Sequence, residues 1–230
     1  MVHSKLLLAL IGVSACLPVI GRSDDLMPPV WRLGNASATV QEWDFVAPGG
    51  GLPDGSTWGS GGGGFVNPHG PPILAPGAPW LPVAGPPHAA PRTGVYELPG
   101  GTTSHLLFEI PNHGHPGGMK DIRVQITWIS GGPPALTPGL EVTAMGTPFM
   151  MAAGPTIVLA DGWRHTTYDI TLPMCPPFET FEIFNPFPTF GMFVDQVVID
   201  TICHPVPEPA TLAGLGIGLA ALVSRRRRRS

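Results

Sequence analysis

The chain has 230 residues, 43% of them hydrophobic and only 12% charged, with a formal net charge of −4. Five of its twelve basic residues are Arg225 to Arg229, so residues 24–205 hold five cations against fifteen acids, a net charge of −10. No cationic patch remains there to displace counterions from a phosphate backbone, which excludes nucleic acid as a partner.

At the N-terminus, Lys5 precedes the apolar run Leu6 to Val13, and small residues follow. This is the order of a secretory signal peptide, assigned to residues 1–23, with cleavage after Gly21 or Ser23. Val13-Ser14-Ala15-Cys16 offers a second reading, a lipoprotein signal with Cys16 as the lipidated residue.

Beyond it, "TVQEWDFV" at 39–46 reads as a first strand. Nearly half of the positions from Val46 to Gly94 are then Gly or Pro, including Gly49 to Gly51 and Gly61 to Gly64. Helices and long strands do not run through such a stretch, so extended surface loops are expected. Gly59 to Gly64 spells G-x-G-x-x-G, but "FVNPHGPP" follows instead of a helix, so no dinucleotide site and no cofactor is expected. Trp58, Trp80 and, further on, Trp163 lie in Gly/Pro-rich or turn contexts. They are placed either to stack on sugar faces or to pin long loops onto the body of the protein.

Further strands follow at 104–110 ("SHLLFEI"), 166–172 ("TTYDITL"), 178–184 ("FETFEIF") and 192–200 ("MFVDQVVID"). The clearest is "KDIRVQITWIS" at 120–130, where Ile122, Val124, Ile126 and Trp128 alternate with Arg123, Gln125 and Thr127. Period-two alternation marks a half-buried antiparallel strand. The expected fold for 24–205 is all-β: one antiparallel β-sandwich or jelly roll with long Gly/Pro-rich loops.

Three features of this region bear on chemistry. In "NHGHPGG", His113 and His115 face the same way if extended and share a metal if His105 or His165 joins them; otherwise they are solvated turn residues. Asp121, Asp161, Asp169, Glu179, Glu182, Asp195 and Asp200 are enough to supply the carboxylate pair of a glycosidase, as any acidic sandwich would be. Cys175 and Cys203 read as a disulfide in an oxidising compartment, the alternative being two buried thiols.

The chain closes on Val206-Pro207-Glu208-Pro209, the uncharged run Ala210 to Val223, and the arginine cluster. As a helix, that run rises about 21 Å, short of a hydrocarbon core of about 30 Å unless the arginines snorkel. Residues 210–223 are therefore expected to meet a membrane, with the arginines cytoplasmic and the residues before 205 outside. The three parts together resemble a PEP-CTERM sorting signal. The resemblance implies export in a Gram-negative bacterium that makes exopolysaccharide, with exosortase as a partner and Pro207, Glu208 and Pro209 as its recognition motif. In addition, "VDQVVID" is similar to the last strand of galactose-binding-like jelly rolls, and "WRLGNASATVQEWDF" resembles an opening segment of large secreted proteins with this tail. These likenesses imply a sandwich and glycan contact, and no catalytic residue. The function expected is a non-catalytic envelope or matrix protein that contacts extracellular polysaccharide. The alternative is a secreted carbohydrate-active or metal-dependent hydrolase, resting on the acids and on His113 and His115.

Overall fold

In a computed structural model, the structure describes residues 25–32, 38–49, 53, 67, 69–112, 114–115, 117–133 and 136–205. Among them are twelve strands and no helix: β1 (Ala38–Trp43), β2 (Ile73–Pro76), β3 (Trp80–Ala84), β4 (Arg92–Leu98), β5 (His105–Pro111), β6 (Gly118–Ser130), β7 (Gly139–Ala144), β8 (Thr147–Met150), β9 (Ala153–Val158), β10 (Arg164–Leu172), β11 (Phe178–Phe184) and β12 (Met192–Pro205). They form two antiparallel sheets packed as a sandwich. The larger runs β3-β4-β12-β6-β10-β9 with β1 also on β12, and the smaller runs β2-β5-β11-β7-β8.

The long strand β12 organises the larger sheet. One edge pairs with β6 from Met192↔Ser130 to Pro205↔Gly118, with a bulge between Val194 and Gln196. Its other edge is shared, Met192 to Val194 pairing with β4 and Val197 to Ile202 with β1. The bulge inserts a residue, so the inward parity changes from Met192 and Val194 to Val197 and Ile199, all fully buried.

The alternation read from β6 is realised: Ile122, Val124, Ile126 and Trp128 are all within 1% of complete burial. They meet Leu106, Phe108 and Ile110 of β5, Leu140 and Val142 of β7, and Phe181 and Ile183 of β11 in one core between the sheets. Trp43 of β1 and Phe108 of β5 pack edge to face across it, with centroids 4.8 Å apart.

The structure differs from the sequence reading between Val46 and Gly94. That segment is not loop alone, because it contributes β2, β3 and the start of β4. Proline is tolerated at a sheet edge, where a missing N–H breaks no ladder on the open side. Both β2 and β3 are edge strands, and Pro82 falls between the paired residues Leu81 and Val83. Gly94 has φ +71°, and a Cβ there would stand 2.2 Å from the Phe45 carbonyl oxygen, so the close approach of the chain after β1 to β4 needs glycine. Likewise β7, β8 and β9 stand where no strand was expected, and β12 continues to Pro205 beyond the 192–200 stretch.

Candidate functional site at the C-terminal end of the sandwich

The last described residue of β12, Pro205, adjoins Val206 and the Pro207-Glu208-Pro209 motif, which lie outside the described residues together with 210–223 and with residues 1–23, where a signal peptide was expected. The end of the sandwich from which the tail leaves is therefore the candidate site. It is closed by the Cys175–Cys203 disulfide, with Cα atoms 5.9 Å apart. Cys203 is on β12. Cys175 lies in the segment joining β10 to β11, where its carbonyl accepts the His115 N–H at 3.0 Å. One cross-link thus ties the exit strand of the larger sheet to the lead-in of the smaller one.

Inside this end the core changes character. The parity that buries Ile122 and Trp128 also turns Lys120 inward, and the parity of Phe181 and Ile183 does the same to Glu179; both are 0% exposed. Lys120 Nζ contacts Glu179 Oε1, and Glu179 Oε2 accepts from the Asn112 side-chain N–H. Asn112 Nδ2 also donates to the Ile110 carbonyl at 2.9 Å. The Thr201 hydroxyl donates to Asn112 Oδ1 at 2.8 Å, and lies 2.8 Å from the Thr39 hydroxyl. Gln41, fully buried on the inward face of β1, has neither amide atom paired. Burial pulls Lys120 down to about 8, against the attraction of Glu179, and pushes Glu179 up to about 7, against that of Lys120. On the opposite face of β6, Asp121 accepts from Thr171 Oγ1 at 2.5 Å and lies 3.1 Å from His204 Nε2.

A second polar layer covers the outer face of the larger sheet. Residues 25–32 lie across it: the Met27 N–H donates to Gln125 Oε1 at 2.9 Å, the Met27 carbonyl accepts from Arg123 at 3.1 Å, and Arg32 pairs with Asp25 and Asp200. Beneath, His165 is 0% exposed. Its Nε2–H donates to Gln125 Oε1 at 3.1 Å, and its Nδ1 lies 2.9 Å from the Thr127 hydroxyl. Burial, with Arg92 adding to it, pulls its pKa down to about 4. A folded-state pKa below the unfolded value of about 6.5 means that the unfolded chain takes up the proton first. This contribution is present above pH 6.5 and is lost as pH falls toward 4, about 2–3 kcal/mol in all. His165→Gln should therefore flatten the decline in urea midpoint between pH 6.5 and 4 relative to the parent chain. Identical slopes would assign the acid response elsewhere.

The other residues singled out in the sequence are dispersed. Trp163 is fully buried, not displayed for sugar: its Nε1–H donates to the Ala90 carbonyl at 2.7 Å, and Arg92 stacks on its ring at 5.0 Å while pairing with Asp161 and Asp195. Trp80 is half-buried and donates to the Phe45 carbonyl at 2.9 Å. Each of these two rings pins a loop. Trp58 and His113 lie outside the described residues. His115 is beside the disulfide and His165 is under the outer face, whereas His105 begins β5 and bonds the Thr103 carbonyl. These three do not converge, and among the described residues no group of three His, Cys, Asp or Glu is placed to hold a metal. Lys120, Asn112, Thr39, Thr201 and Gln41 were not singled out in the sequence, although polar residues at inward parity marked several of them.

Residues 205–229 match the PEP-CTERM protein-sorting motif. The chain carries a PEP-CTERM sorting signal at its C-terminus. The motif implies export, sorting to the cell surface and processing by exosortase, and it begins at the final residue of β12. No curated protein matches the chain. Among solved structures, the mosquito-larvicidal Cry4Aa toxin of Bacillus thuringiensis matches at 13% identity and a TM-score of 0.28, over 60% of this chain and 24% of the toxin chain. A likeness of that size carries no argument about fold or function.

Proposed function

We propose that this PEP-CTERM protein is a non-catalytic component of the cell envelope or extracellular matrix, carried out by an N-terminal signal at 1–23, held through residues 210–223 during sorting, and in contact with extracellular polysaccharide. The observation that carries the reading is continuity: the exit strand β12 is covalently locked by Cys203 just before the sorting motif starts. Processing at that motif would leave the sandwich of residues 25–205 complete. Glycan contact rests on the likeness of the tail and of the last strand. A domain of net charge −10 would meet an anionic polymer through bridging cations and a neutral one directly.

The hydrolase alternative gains nothing from the site. Asp25 and Asp200 are held by Arg32, Asp161 and Asp195 by Arg92, and Asp169 by Arg123. Replacing Pro207, Glu208 and Pro209 by alanine in a host that makes exosortase should leave the tail unprocessed and abolish release or surface display. Unchanged maturation of that variant would refute sorting through this motif. Pull-down of the mature chain with exopolysaccharide, with and without calcium, tests the contact; no retention in either condition would remove it.

A further inference from the structure

We propose that Lys120 and Asn112 become joined by an intramolecular isopeptide bond, formed inside the sandwich with Glu179 as the proton carrier. An amine, a carboxamide and a carboxyl group meet here away from water. Lys120 is on β6 of the larger sheet, Asn112 follows β5 of the smaller sheet, and Glu179 is on β11 beside it; they are 0%, 7% and 0% exposed. One carboxyl group serves both partners, Oε1 against Nζ and Oε2 against Nδ2 of Asn112. The amine and the carboxamide are therefore each in contact with one oxygen of the same carboxyl group.

The surroundings suit acyl transfer better than an ion pair. Nζ makes no hydrogen bond of ordinary angle, although an ammonium carries three donors and would be left with most of them unsatisfied. Desolvation weakens the charged form of both partners, pulling the Lys120 amine down to about 8 and pushing the Glu179 carboxyl up to about 7, so little is needed to free the amine. The Thr201 hydroxyl, backed by Thr39, points at the Asn112 carbonyl oxygen, where negative charge would develop. A buried ion pair brings little net stability, whereas an amide removes both the amine's charge and its unmet donors.

The step balances without a co-reactant. The Nζ lone pair attacks Cγ of Asn112, and Thr201 stabilises the oxyanion at Oδ1. Glu179 accepts a proton from Nζ and delivers one to Nδ2. The Cγ–Nδ2 bond then breaks, ammonia leaves, and the Nζ–Cγ amide remains. One C–N bond forms for one broken, and nothing is oxidised or reduced.

The basic residues around the site make the test direct. Trypsin cuts after Arg92, Lys120 and Arg123, but not at a lysine whose amine is acylated. Reduced and alkylated chain recovered from cells should give peptide 93–123 uncut at Lys120 and lighter than its sequence mass by one ammonia. Glu179→Gln and, separately, Lys120→Met should restore the full mass at this site, with circular dichroism reporting the fold of each variant. Cleavage after Lys120 in the parent chain overturns the proposal. So does peptide 93–123 at its full mass, or a water loss that joins Lys120 to the Glu179 peptide instead. A Glu179→Gln variant that still loses ammonia overturns the role of Glu179.

Discussion

Trp128→Ala should cost about 3–5 kcal/mol of folding stability, a large part of the roughly 5–15 kcal/mol that holds a domain together. Trp128 is completely buried in β6, whose two edges are occupied by β10 and β12. Truncation removes the ring from the core and leaves a cavity that neighbours in two packed sheets can collapse into only in part. It also strips partners from polar groups: Trp128 Nε1–H donates to Thr166 Oγ1 at 2.9 Å, and the Arg164 guanidinium rests on the ring at 5.6 Å. Urea titration at constant pH should show the midpoint collapsing with little change in slope. A loss under about 1 kcal/mol would place the ring outside the cooperative core.

Removing the disulfide by Cys175→Ser with Cys203→Ser should cost about 3–4 kcal/mol. The two cysteines are 28 residues apart in sequence, and opening that loop returns conformational freedom to the unfolded chain. Some of the loss should also appear locally. His115 pairs with Cys175, and a Cβ added at Gly118 would stand 3.1 Å from the Cys175 Cβ, so His115 and Gly118 are packed against the bridge. Hydrogen exchange should accelerate there and at the end of β12 before it does in the middle of β6. Uniform acceleration, or an unchanged urea midpoint, would count against the clamp.

The legible and illegible parts of this chain separate along physical lines. Alternation identified β6, β11 and the cores of β1, β5, β10 and β12, because half-buried strands must repeat with period two. Edge strands escaped notice: β2 and β3 are built from Pro-containing stretches, while β9 is exposed along its whole length, so no apolar face marks it. The end of β12 was missed because Cys203, His204 and Pro205 become progressively exposed, so no apolar alternation marks it. The tail announced itself through three adjacent parts in a fixed order, and its match spans residues 205–229.

The candidate site was harder for a different reason. Lys120 and Glu179 look like ordinary strand polar residues until parity is carried through the full strand. Continued back from Ile122 and Phe181, the inward series reaches a lysine and a glutamate, two charges pointing into a core. Asn112 continues the same series just past the end of β5, after Leu106, Phe108 and Ile110. Their meeting depends on how the two sheets stack, which one strand's pattern does not encode. The tryptophans show the converse. Trp163 sits in a turn by sequence, but a loop from the far side of the sheet folds over it and accepts its N–H.

The position of β12 also determines how the protein carries a mechanical load. For a chain held by its C-terminal end, tension enters at Pro205 and reaches Cys203 almost at once. There the covalent bridge divides it between β12 and the segment leading to β11. The share that continues along β12 runs parallel to the strand, while its ladder bonds to β6 on one side and to β1 and β4 on the other lie across it. Those bonds are loaded together in shear instead of being peeled singly, so the tether pulls on both sheets before it can draw out any one strand.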